Sequence, residues 1–535
     1  MQNKLSVGLS SLVLLQSFTV FPEYFISVSL LYVLIVVVLI TYNVYGLMLQ
    51  KAVSECMALI LLMACYLIIN DDLIALNFSI FNSSIINDYF AFLTKFVICF
   101  SSAIYFLIIA NSLKEQRLTS FEYLFITLFA VLGFMLLCSS NDLLTAYLAI
   151  ELSSLSCYLL ASFKKTSSYS VEGGIKYFIT GAVSSAFFLL GSSFIYGLTG
   201  SINFSDFFDL FECSCFYQFP YHMVDFGDNV AELAWHIWWV MTHDLPELFD
   251  YSFLEVGLSL ILFSLFIKLA LAPFHLWSLD VYEGSPTSAT FFFAVIGKLS
   301  IFVLLVRLCY VSFFSLNNCW QFYSIWIGIF SIFVGSFGGL KQRKLKTLLA
   351  YSSTSHMGYM LVAFSSSTYI GIQMLFFYFI IYIMAGLCTW FIILSLRLRK
   401  KGLNSKYNKE LGDLVLLRKS NSALAFSFAL TMFSIAGIPP MIGFLAKMSV
   451  FLSIVGISFY FVALASILFS VVSTFYYIRV IKVLYFENVL VGKLYYPINN
   501  NKILILSVLV FLLIFLFINP TLLYLLNYKI ILSLI

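Results

Sequence analysis

The stretch LILFSLFIKLALAPFHLWSLDVYEGSPTSATFFFAVIGKLSIFVLLVRL, residues 260–308, decides the fold: it is apolar enough to lie in a bilayer, yet Lys268 and Lys298 stand in the middle of its greasy runs. A lysine at bilayer depth costs roughly 3 kcal/mol even on lenient insertion scales, so one that is kept there faces a protein interior and has a task. Pro273 follows Lys268 by five residues. Proline lacks the amide donor and clashes with the preceding turn, so the first run must break inside the membrane, leaving backbone groups to line a hydrated cavity.

Working outward, the same character fills the chain. Of 535 residues, 62% are hydrophobic and 10% charged, with a mean hydropathy of +1.01. Water-soluble domains carry about 25% charge, so a soluble domain is excluded. Apolar windows of about 20 residues, long enough for a hydrocarbon core of about 30 Å, recur at 24–42, 53–69, 86–112, 120–138, 141–162, 175–198, 254–277, 288–311, 321–339, 346–364, 369–397, 424–453, 456–484 and 501–526. The expected fold is therefore an all-α polytopic membrane protein of about fourteen spans.

Basic residues support that count. Lys51, Lys114, Arg117, Lys164, Lys165, Lys341, Arg343, Lys344, Lys346, Arg397, Arg399, Lys400, Lys401, Arg479, Lys482 and Lys493 all fall in odd-numbered loops. Lys and Arg stay on the cytoplasmic or matrix side, which puts both termini on the outer side. Spans 4 and 5 precede spans 9 and 10 by about 201 and 205 residues, and spans 7 and 8 precede spans 12 and 13 by about 170. Five spans separate the partners, an odd number, so two inverted five-helix repeats, spans 4–8 and 9–13, are expected. The chain divides accordingly into 1–119, 120–311, 312–484 and 485–535. A second break is expected in span 12, where Gly437, Pro439 and Pro440 precede Lys447.

Few ionisable residues lie within the spans. Glu151, Lys268, Lys298 and Lys447 are too central for helix-end anchors, and His275 and His356 accompany them as secondary candidates. Lys95 and Arg307, nearer helix ends, are expected to snorkel to the interface. A desolvated carboxyl or amine changes protonation when a neighbouring charge moves, which is how proton relays in pumps are built. A single proline kink beside a lysine fits ordinary packing; two at matched places mark a transport site.

The loop at about 199–253 has no Lys or Arg but carries Asp206, Asp209, Glu212, Asp225, Asp228, Glu232, Asp244, Glu247 and Asp250, with Trp235, Trp238 and Trp239. It reads equally as a solvated insertion or as a docking surface for a basic accessory subunit on the outer side. Cys213, Cys215 and the distant His222 lack metal-ligand spacing, so no metal is expected. The first 25 residues show neither a small-residue cleavage site nor an Arg-rich transit character.

The segments AIELSSLSCYLLASFKK, GGIKYFITGAVSSAFFLLGSSFIYGLTG, KLALAPFHLWSLDVYEGSPTSAT, KLKTLLAYSSTSHMGYMLVAF and MFSIAGIPPMIGFLAKMSVFL resemble the antiporter-like subunits of respiratory complex I, NADH:ubiquinone oxidoreductase, of the mitochondrial subunit 2 and bacterial N type. VFPEYFISVSLLYVLIV is similar to the long form with three extra N-terminal helices. The resemblance implies a proton-translocating subunit of the mitochondrial inner membrane, surrounded by lipids and other membrane-arm subunits. It implies no redox centre, cofactor or nucleic-acid partner of the chain's own; flavin, iron-sulfur clusters and ubiquinone belong elsewhere in the complex. It also implies that Glu151 pairs with Lys268 while Lys298 and Lys447 continue the path. The competing readings are a subunit of a multi-subunit cation/proton antiporter, with the same charges, and a scaffold whose charges form structural ion pairs.

Overall fold

The computed structural model describes residues 20–41, 46–70, 78–110, 112–116, 118, 120–216, 251–398, 406–407, 410–415, 417–487 and 500–534. Helices dominate. The only strands among the described residues form two short antiparallel hairpins, Phe78–Ile80 with Ile85–Asn87 and Arg397–Leu398 with Lys406–Tyr407. Ten helical segments here are long and apolar enough to cross a membrane, and an eleventh is gained if one sharply bent pair counts as a single span.

The N-terminal helices are α1 (Phe21–Thr41), α2 (Gly46–Ile69) and α3 (Tyr89–Ile109), and α3 is capped by the Asp88 carboxylate, which accepts from the Ala91 N–H at 2.8 Å. They lean on α4 (Glu122–Ser139), which pairs with α5 (Leu143–Ser162) and through it with the 32-residue α6 (Ser168–Thr199). The acidic loop begins as α7 (Phe204–Phe216), whose Phe207 and Phe211 rings lie 5.3 and 5.6 Å from Phe313. Trp235, Trp238, Trp239 and His222, and the side chains of Cys213 and Cys215, lie outside the described residues.

The expected break in span 7 separates α8 (Tyr251–Leu269) from α9 (Leu276–Gly284). Span 8 is also divided, an outcome the sequence reading missed: α10 (Thr287–Val295) ends before Ile296 and Gly297, α11 (Lys298–Val306) restarts at the lysine, and a π-helical turn at Arg307–Ser312 follows. The next helices are α12 (Asn317–Leu340), α13 (Leu345–Phe364) and α14 (Tyr369–Ser395). Although α13 is rich in serine, it is buried on nearly every face, because Ser352, Ser353, Thr354 and Ser355 each return a hydrogen bond to the carbonyl three residues back. Span 12 divides into α15 (Ser422–Ala436) and α16 (Ile442–Val455), and α17 (Tyr460–Tyr485) follows. The last span, read as one window at 501–526, is bent: α18 (Asn500–Ile518) and α19 (Thr521–Leu534) meet at 85° beside Pro520, which cannot supply the amide a continuous helix needs.

Lys95 and Arg307 do not snorkel. Lys95 makes a 2.6 Å ion pair with Glu23, and Arg307 a 2.7 Å pair with Asp88, with all four side chains buried. Each cation had a carboxylate within reach on another helix or at its cap, so it needed no route to water.

Candidate functional site

At the first break α8 ends with Ala270 in the left-handed region at φ 57°, a conformation that costs a non-glycine residue about 1–3 kcal/mol and gathers at functional sites. The Ile267 carbonyl accepts both the Ala270 N–H at 3.1 Å and the Trp277 indole N–H at 3.0 Å. Lys268 occupies that last turn, and its ammonium donates to the Tyr158 hydroxyl at 3.0 Å. Glu151 lies on the same face of α5 as Tyr158, two turns earlier. Among the described residues no ion pair joins Glu151 to Lys268, and Glu151 Oε1 has no hydrogen-bond partner.

Lys268 and Lys298 face one cavity, lined also by Ser153, Ser154, Tyr177, Trp277 and Tyr282, with about 50 Å³ of space for water centres. At about 10–15 Å³ for each water, that space takes several. Lys298 is 5% exposed. Its ammonium has no hydrogen-bond partner among the described residues and stands 6.0 Å from the centre of the Tyr282 ring, a cation–π contact.

His356, on α13, lies within electrostatic reach of both Lys298 and Lys447. Its Nδ1 is 2.7 Å from the Tyr378 hydroxyl and its Nε2 3.2 Å from that of Tyr477. A second, smaller cavity of about 20 Å³ touches His356, Tyr378, Tyr382, Ser434 and Gly443. That space suits one water.

At the second break α15 stops on Gly437, which takes the left-handed φ of 77° and donates to the Phe433 and Ser434 carbonyls. Any β-carbon there would also meet the Lys447 side chain at 2.8 Å, so glycine is required twice over. The Ala436 carbonyl is left outside the helical ladder, and the Lys447 ammonium donates to it at 2.7 Å while standing 5.5 Å from the Tyr359 ring centre.

The structure thus brings Glu151, Lys268, Lys298, His356 and Lys447 into one series through the buried centre. His275 stays apart: it precedes α9, 6.3 Å from the Tyr351 ring, and lines neither cavity. Sequence reasoning missed the tyrosines, namely Tyr158, Tyr282, Tyr359, Tyr378 and Tyr477. The available signal was chemical: a tyrosine inside an apolar run must find a partner for its hydroxyl. Among the described residues no group of three or more His, Cys, Asp or Glu side chains converges as metal ligands would.

The profile of the family described as "NADH:quinone oxidoreductase/Mrp antiporter, TM" matches residues 140–473. The chain belongs to this family. The candidate residues Glu151, Lys268, Lys298 and Lys447, with His356, fall inside the family's segment, and the paired charges Glu23, Asp88 and Lys95 precede it. Chain 2 of the NADH-ubiquinone oxidoreductase of Marchantia polymorpha is 34% identical over 450 residues, 84% of each chain. Subunit N of the NADH-quinone oxidoreductase of Pelagibacter ubique is 33% identical over 468 residues, 88% of this chain and 89% of that one. A chain of respiratory complex I from Thermus thermophilus superposes with a TM-score of 0.71 at 24% identity, covering 94% of this chain and 98% of its own, and shares the fold.

Proposed function

We propose that this chain is a proton-translocating membrane-arm subunit of respiratory complex I, coupling NADH:ubiquinone electron transfer to proton movement through Glu151, Lys268, Lys298 and Lys447, with His356 between the last two. It is a multi-pass membrane protein whose partners are the other membrane-arm subunits. The observation that carries the reading is the series of buried lysines with neutral partners beside water-sized cavities and broken helices, together with the curated relatives, which are NADH-quinone oxidoreductase subunits. Each lysine can accept or release a proton without dismantling an ion pair that holds the fold. The neighbouring water space supplies the transfer distance.

Further parts of the reading are an inner-mitochondrial location with both termini on the intermembrane side, two inverted five-helix units within about fourteen spans, and no redox centre in this chain. The acidic outer loop is assigned to docking of an accessory subunit, and the lipid-facing surface to the bilayer. The competing reading, a cation/proton antiporter subunit, shares the family but not the names of those relatives.

The test is Lys268→Ala in the intact complex. Assembly is expected to survive while proton pumping coupled to quinone reduction falls by about a hundredfold or more. Normal pumping in an assembled mutant removes the role. Purification of the native complex separates the two assemblies: flavin and iron-sulfur subunits accompany the chain in complex I and are absent from an antiporter.

A further inference from the structure

The relay needs Glu151 and Lys268 to interact, yet the lysine is held by something else. We propose that Tyr158 is a positioning residue that keeps Lys268 off Glu151 and ties their separation to the shape of the α8–α9 break. The inference deepens the proton-relay reading and rests on it.

Three independent features place the hydroxyl. Lys268 donates to it at 3.0 Å, so the ammonium has a neutral partner in place of the carboxylate. Gly181 on α6 makes room for it: a β-carbon at that position would lie 1.7 Å from the hydroxyl oxygen, so no other residue fits without moving the tyrosine. The Tyr158 ring meets Tyr177 edge-on at 4.7 Å, and Tyr177 stacks on Trp277 at 4.6 Å with an interplanar angle of 5°.

Trp277 closes the circuit, because its indole N–H donates to the Ile267 carbonyl, the residue next to Lys268 in the last turn of α8. A change at the break that moves Trp277 therefore disturbs both the turn carrying Lys268 and the ring stack that orients its acceptor. When the hydroxyl lets go, a carboxyl oxygen without a hydrogen-bond partner, Glu151 Oε1, stands on the same face of α5. Tyr158 thus gives the lysine two alternative partners, a hydroxyl and a carboxylate, and packed aromatic contacts of this kind tend to have discrete arrangements.

The experiment compares the wild-type complex with Tyr158→Phe, which keeps the ring and its stacking but removes the acceptor. Two quantities are read: proton pumping per quinone reduced, and modification of Glu151 in native membranes by a hydrophobic carbodiimide, detected by mass. The reagent attacks a protonated carboxyl and spares one held as a carboxylate in an ion pair. Pumping is expected to fall on the order of tenfold, the factor a lost hydrogen bond to a charged group supports. Labelling, clear in the wild type, is expected to fall about fivefold or more as Lys268 closes on Glu151.

Wild-type pumping in Tyr158→Phe, unchanged labelling, or a wild-type Glu151 that resists the reagent each overturns the proposal. If Tyr158→Phe fails to assemble, Trp277→Phe, which loses the N–H to Ile267 and part of the ring stacked on Tyr177, is expected to lower labelling in the same direction, and no change overturns it. A failure of the relay reading itself looks different: Glu151→Gln and Lys268→Ala then both pump normally. If those two are impaired and Tyr158→Phe is not, the relay stands and the positioning role falls.

Discussion

Two regions of this molecule bury cations to the same depth and treat them in opposite ways. Against the N-terminal helices Lys95 and Arg307 each hold a carboxylate from that region, Glu23 and Asp88, at 2.6 and 2.7 Å, and Arg307 adds a 3.2 Å hydrogen bond to the Cys138 carbonyl and a 5.3 Å approach to the Phe90 ring. In the centre, Lys298 and Lys447 are each 5% exposed, as buried as the paired residues, but their neighbours are tyrosine rings and a backbone carbonyl. Depth therefore does not separate a structural charge from a carrier. The partner does: a carboxylate at contact distance makes proton loss from the cation cost the whole pair, whereas a hydroxyl, ring or carbonyl leaves the amine free to change state.

Lys447→Met gives the largest expected effect and tests this contrast directly. It keeps the volume of the side chain, removes the proposed proton carrier and leaves the Ala436 carbonyl to water, so the complex should assemble at near wild-type levels while pumping falls by about a hundredfold. Measured pumping above a tenth of wild type would place Lys447 with the structural charges. Arg307→Met should do the reverse. It strands the Asp88 carboxylate, a loss of about 3–5 kcal/mol for a broken buried pair, and the measurement is the amount of intact complex on native gels, with activity per assembled complex unchanged. If assembly is normal and specific activity drops, Arg307 belongs to the relay.

The smallest expected effect lies at the edge of the helical bundle, where Asp142 precedes α5 and bridges to Asn203 at the start of the acidic loop. Burial, with the Asp206 charge adding to it, pushes the Asp142 carboxyl from 3.8 up to about 6. An acid raised in the folded state favours folding while protonated. Its contribution is full below about pH 4 and is lost as the pH rises through about 6, and solvent screening keeps it near 1 kcal/mol or less. Amide exchange at Asn203 to Phe207, corrected for intrinsic rates, should show weaker protection at pH 8 than at pH 5. Asp142→Asn should abolish the difference. A pH-independent pattern in the wild type would show that a carboxylate with no cation in contact can still be inert, which blurs the contrast from the other side.

Much of this site was legible in the sequence, and the reason is local. Pro273 and the Gly437–Pro440 motif forbid a continuous helix wherever they fall, and both breaks stand where those residues put them. Gly297 carries a weaker signal, since glycine is common in membrane helices, and the interruption beside Lys298 went unread. Lys95 and Arg307 show the opposite failure. Position near a helix end is all the sequence offers for them, and it pointed to water, while the deciding carboxylates sit on distant parts of the chain.

By itself the sequence determined that the chain is apolar enough for a bilayer, where proline interrupts its helices, and that a few ionisable residues stand within the apolar runs, because hydropathy and proline chemistry act over a few residues at a time. Only the tertiary structure decided what each charge touches. Lys268 meets a hydroxyl 110 positions away and Arg307 a carboxylate 219 positions away. No periodicity spans such distances; packing brings the partners together, and whether a buried cation is held or free to exchange a proton is a property of the partner it meets there.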